Sequence, residues 1–251
     1  TCFVTRRLLD EERLHGEIPC VRGGIPLEEA VEDPFLKDNA VHWQPVANEP
    51  GDPMIIRPVN DPFQPSGGLA LMRGNIGEGV LKTSAVKSEH RVIEAPAVVF
   101  DDQDDMLTAF QNSELEKDFI AVIRFQGPKA NGMPELHKLT PSLGVLQDRG
   151  FRVALVTDGR MSGASGKVPA AIHITPEALD GGNIGRIKTG DMMRLDANTG
   201  ELEIMIDIDE FEARNIPKAP TRSLTVGRNM FMPFQKLVGL ASEGASIFDF
   251  D

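Results

Sequence analysis

"FIAVIRFQGPKANGMPELHKLTPSLGVLQDRGFRVALVTDGRMSG", residues 119 to 163, carries the pattern that decides the fold. Two short, nearly continuous apolar runs, 119–125 and 151–158, flank a segment with Leu136, Leu139, Leu143 and Leu146 at helical spacing. Runs of that length bounded by Gly and Asp are buried strands, and apolar residues three and four apart mark a helix. Strand, helix, strand is the unit of an α/β domain. The periodicity opens the helix near Pro134.

Further runs of the same kind lie on both sides: "LALMRG", "VLKTSAV", "RVIEA", "AVVF", "AAIHI", "DMMRLD" and "ELEIMID". "LDANTGELEIMI" predicts a hairpin with Gly200 at a positive φ. Helical spacing recurs in "DDQDDMLTAFQNSE" and "NMFMPFQKLVGLAS". Many strands with few helices predict a mixed α/β domain whose sheet is closed or strongly curved. Residues 2–14 predict a short amphipathic helix, whereas 18–65, rich in Pro, Asp, Glu and Asn, read as irregular connection. The composition changes near residue 63, which sets the expected boundary between segments 1–62 and 63–251.

Apolar residues at 41% and charged residues at 25% are those of an ordinary soluble globular chain. A net charge of -12 opposes a nucleic-acid or anionic-membrane partner, either of which needs a basic face. No apolar run approaches the roughly 20 residues of a membrane-spanning helix, and the first residues have no secretory pattern. Two widely spaced cysteines, Cys2 and Cys20, without a signal peptide predict a reduced, cytoplasmic chain. They are too few for a four-thiolate metal site. The chain begins inside a helix without Met and reads as a piece of a longer protein.

Chemistry is expected in the loops after the two central strands, because ligands of α/β sheets collect at strand carboxyl ends. Gly166-Lys167 resembles part of a phosphate-binding loop. That motif needs a glycine where Met161 stands and a hydroxyl where Val168 stands, so a nucleotide loop is set aside. In the loop 124–138, Lys129 and Asn131 among glycines suit an anionic ligand, and a tight connection that needs those glycines explains the pattern equally well. In the next loop, Asp158 is an acceptor and Arg160 an oxyanion partner. Ser162 and Ser165 are candidate nucleophiles or bases, and a serine in that role needs a base or a positive centre beside it. The acidic run Asp101, Asp102, Asp104 and Asp105 reads as a helix start rather than a metal site. His173, alternating with Ile172 and Ile174, reads as a strand residue.

These loops carry a resemblance. "QGPKANGMPELHKLTP" with "LVTDGRMSGASGKVPAAIHITPEAL" closely resembles the C-terminal part of the dihydroxyacid and sugar-acid dehydratase family, in its phosphogluconate branch. "GGLALMRGNIGEGVLKTSAV", "VIEAPAVVF" and "IKTGDMMRLDANTGELEI" continue the match in the same order, over roughly residues 60 to 205. The resemblance implies a swivelling, strand-rich β/β/α domain, preceded in 1–62 by the tail of an N-terminal α/β domain. It implies a lyase that dehydrates 6-phospho-D-gluconate to 2-dehydro-3-deoxy-6-phospho-D-gluconate, a step of the Entner–Doudoroff pathway, in a homodimer.

By the same matching Ser162 is the base. Asp158 and Arg160 shape the loop and stand with Lys129, Asn131 and Lys167 as candidate substrate-binding residues. The implied iron–sulfur cluster acts as Lewis acid and has its ligands in the missing N-terminal half, so the isolated chain is expected to be inactive. A magnesium ion is implied at the position before "GPK", where this chain carries Gln126, a neutral and weaker ligand. A dehydratase of the same family for an unphosphorylated sugar acid, and a non-catalytic binding module, are the rival readings.

Overall fold

The structure, a computed structural model, describes residues 1–64, 67–162, 166–221 and 226–248. The chain divides into two compact units, Thr1–Gly67 and Gly68–Asp251.

In the first unit, helix α1 (Cys2–Asp10) and the short α2 (Leu27–Ala30) precede an antiparallel hairpin of β1 (Asp33–Lys37) and β2 (Ala40–Gln44). Asp38 and Asn39 take φ of 50° and 57°, the two left-handed residues that a two-residue turn of this hand requires. The hairpin departs from the irregular connection expected here. Neither strand buries an alternating face, so the period-two signal is missing. A small core joins Leu9, Val31 and Val46 to the partly buried Cys2, Phe3 and Leu27.

The second unit is a closed eight-stranded barrel. Its elements are β3 (Leu69–Gly74), β4 (Gly77–Lys82), β5 (Val92–Phe100), α3 (Gln103–Gln111), β6 (Phe119–Ile123), α4 (Pro128–Asn131), α5 (Leu139–Asp148), β7 (Val153–Thr157), β8 (Ala170–Thr175), β9 (Met192–Asp196), β10 (Glu201–Ile204), α6 (Ile208–Glu212) and α7 (Val226–Leu237). Around the barrel the order is β10, β3, β4, β8, β7, β6, β5, β9, and β9 pairs back to β10. Strands β5 to β8 run parallel as one block.

The central strands read as unbroken apolar runs because each of their faces meets a different core. Ile120, Val122, Ala154 and Val156 point into the barrel, with Met72, Leu81, Ile93 and Leu195. Phe119, Ala121, Ile123, Val153 and Leu155 point outward, onto Met106 of α3 and Leu139, Leu143 and Leu146 of α5.

Two expected runs, "RVIEA" and "AVVF", form the single strand β5. Pro96 between them needs no amide, since the parallel ladder to β6 begins at Ala97. Gly200 turns the β9–β10 hairpin at φ 81°, where a Cβ would stand 2.5 Å from the Leu71 carbonyl oxygen. The helix expected from Pro134 starts later, as α5 at Leu139, and the separate short α4 ends before it at Asn131. Glu135 between them is extended, in a parallel bridge to Arg160.

Candidate functional site

Because β5 to β8 are parallel, the loops that follow them gather at one end of the barrel. Asp158, directly after β7, is fully buried and ties three of these loops together. Its carboxylate accepts from the amides of Phe125 (3.0 Å), Gln126 (2.8 Å) and Ala178 (3.0 Å). Burial raises its pKa, and the amide donors pull it back only in part. Phe125 is held there at a strained φ of 60°.

Glu177, after β8, performs the same service for α4. It accepts from the amides of Lys129 (3.1 and 3.2 Å) and Ala130 (3.0 Å), where a capping side chain of α4 itself would otherwise act. Gly127 is the residue that allows this approach, since a Cβ there would lie 1.7 Å from Glu177 Oε2. Burial, with the charges of Asp158 and Asp180, raises the Glu177 pKa to about 7.

Gln126 is buried, and its amide is consumed by the loop. Nε2 donates to the carbonyls of Asp101 (3.0 Å) and Arg124 (3.2 Å), and Oε1 accepts from Asn131 (2.9 Å). Asn131 in turn accepts from Arg228 of α7 at 3.1 Å. Lys129 pairs with Asp180 at 2.6 Å.

Ser162 is exposed, and its amide donates to Glu135 Oε1 at 2.8 Å. The other oxygen of Glu135 accepts from Arg160 (2.9 Å), which also donates to the Met133 carbonyl (2.8 Å). Glu135 therefore fastens Arg160 and Ser162, on the segment after β7, to the loop after β6. Ser162 lines a cleft of about 90 Å³ with Lys82, Met161 and Ile172. His173 sits at a bulge of β8 with φ 58°, its amide donating to the Gly159 carbonyl (2.9 Å). Burial and nearby Arg160 lower the His173 pKa.

Of the residues singled out in the sequence, Gln126, Lys129, Asn131 and Asp158 fall in one network, and Arg160 and Ser162 in an adjoining one. Lys167 lies apart, paired with Asp148 of α5. Ser165 lies outside the described residues. Asp102 caps α3, accepting from the Asp104 amide at 2.9 Å, as its reading as a helix start expected. Glu135 and Glu177 were missed by sequence reasoning. The available signal was a carboxylate in each glycine-bearing loop that follows a buried strand, the lone one for Glu135 and the first of several for Glu177.

The residues present do not fit an iron–sulfur cluster. Cys2 and Cys20 are unlinked thiols of the first unit, and among the described residues no three His, Cys, Asp or Glu side chains converge as metal ligands. Magnesium does not fit Gln126, whose oxygen already serves Asn131.

Fold and loops define an α/β barrel domain that presents a fastened loop cluster at the carboxyl ends of four parallel strands. Residues 54–245 match the family model for the C-terminal domain of dihydroxy-acid/6-phosphogluconate dehydratases, and the chain belongs to that family. It is 51% identical over 247 residues to the phosphogluconate dehydratase of Pseudomonas aeruginosa, covering 98% of this chain and 40% of that protein. The phosphogluconate dehydratase of Zymomonas mobilis is 50% identical, with 97% and 40% covered. A dihydroxy-acid dehydratase of Clostridium botulinum is 35% identical over 195 residues, with 76% and 35% covered. The chain thus spans about 40% of the length of the phosphogluconate dehydratases it matches.

Proposed function

We propose that this chain is the C-terminal part of a hydro-lyase that converts 6-phospho-D-gluconate to 2-dehydro-3-deoxy-6-phospho-D-gluconate, within the Entner–Doudoroff route. One observation carries the reading: half of all residues are shared, across almost the whole chain, with proteins named phosphogluconate dehydratase. In this dehydration a proton leaves carbon 2, hydroxide leaves carbon 3, and the resulting enol becomes the keto acid. Ser162 is the group we assign to the proton at carbon 2. Its support is positional: Ser162 lies on the segment that follows β7 and is pinned through its own amide to Glu135.

A serine hydroxyl takes a proton at neutral pH only beside a strong positive centre. Among the described residues no three His, Cys, Asp or Glu side chains converge as metal ligands, so on this reading a metal centre comes from the part of the protein that the relatives carry beyond the matched 40%. Segment 1–62 is then the tail of that N-terminal part, and the working enzyme is a cytoplasmic homodimer.

The test is made on the full-length protein that carries this chain. Ser162→Ala is expected to lower kcat about a hundredfold or more, the scale of losing a positioned acid–base group, while the fold is kept. Substantial turnover by that variant would remove Ser162 from the chemistry. Faster turnover of gluconate than of phosphogluconate by the unaltered protein would move the substrate to the unphosphorylated class.

A further inference from the structure

The lysines that sequence reasoning put forward for anion binding are both neutralised, Lys129 by Asp180 and Lys167 by Asp148. Cations without a carboxylate partner lie elsewhere. A cleft of about 540 Å³ opens at the carboxyl ends of β5 and β6, between the start of α3 and segment 185–189. Arg124 builds it, donating from Nε to Asp101 (2.5 Å) and from Nη1 to the carbonyls of Gly185 (2.9 Å) and Ile187 (3.2 Å).

Arg186, on the segment so fixed, meets only neutral partners among the described residues: Asn183 Oδ1 at 3.0 Å and the Arg214 carbonyl. Lys188 is exposed, and among the described residues its ammonium forms no ion pair. Thr189 Oγ1 accepts from the Val99 amide (3.0 Å), which leaves its hydroxyl proton to donate. Two carboxylates share the lining: Asp101, spent on Arg124, and Asp105. Three cations against two carboxylates give the cleft a positive excess, in a chain whose net charge is -12.

We propose that this cleft is an oxyanion site, in which Arg186 and Lys188 hold the phosphate or carboxylate group of a small polar metabolite. Its volume is that of a small-molecule pocket. Arg186 offers a planar fork to oxygens, Lys188 a mobile point charge, and Thr189 a neutral donor. The site owes nothing to the role given to Ser162, since its charges stand whichever reaction that serine serves.

Amide-resolved NMR of the 251-residue chain at low ionic strength tests the proposal, with inorganic phosphate in one titration and acetate in another. Saturable shifts confined to residues 185–189 and 99–105 are expected with at least one anion. The stronger of the two identifies the group that the site takes. Lys188→Ala should weaken binding about five- to tenfold, as loss of one charge-assisted contact does, and Lys188→Arg should largely restore it. Absence of saturable shifts, shifts centred elsewhere, or equal affinity in Lys188→Ala would each overturn the site.

Discussion

At the scale of single residues, two buried carboxylates organise the loops, and they differ in what they allow. Asp158 faces three amide donors, which match an ionised carboxylate. Glu177 faces two amides but also the like charges of Asp158 and Asp180, with Lys129 as the neighbouring cation. Its folded pKa of about 7 lies above its ordinary 4.5, so between those values the native protein binds more protons than the unfolded chain. This contribution to stability is therefore lost as pH rises from about 4.5 through about 7. Urea denaturation across that window should show native stability falling relative to Glu177→Gln, which has no proton to lose. A difference between the two proteins that stays constant from pH 4.5 to about 8 would exclude this assignment. From the sequence, Asp158 and Arg160 were legible as loop-forming residues. The partners of Lys129 and Lys167 were not, because Asp180 and Asp148 lie 51 and 19 positions away along the chain.

At the scale of elements, α4 has four residues and no cap of its own, so it depends on Glu177 from a loop 46 positions beyond its last residue. The approach leaves no space for a side chain at Gly127. Gly127→Ala should cost about 2 kcal/mol or more, in the range of overpacking a buried contact. Most of that cost should vanish when Glu177 is Ala, a coupling that a double-mutant cycle reads directly. Additive effects of the two changes would mean that Glu177 does not pack on this turn. The β1–β2 hairpin and the late start of the helix expected from Pro134 share one lesson. Apolar periodicity reports burial, and an exposed hairpin or an extended residue held by a distant strand bridge buries no periodic face.

At the scale of the molecule, closure of the barrel is uneven. Strands β6 and β7 align five residue pairs, whereas β10 and β3 share the single pair Glu201 and Arg73. Thin pairing opens at lower free energy. Hydrogen exchange should therefore reach the Arg73 amide, bonded to the Gly200 carbonyl at 2.7 Å, well before the amides of β6. Equal protection at both places would show that the barrel opens only as a whole. The sequence by itself determined the strand-rich α/β class, the central strand, helix, strand unit and the glycine-bearing loops, because burial on two faces and turn chemistry are written locally in residue type. It also determined the family, through motifs dense enough to be matched in order. Only the tertiary structure decided that the sheet closes, that Glu135 and Glu177 fasten the loops, and which cations are paired with a carboxylate. Each of these depends on residues tens of positions apart meeting at one end of a barrel, and no local pattern records such meetings.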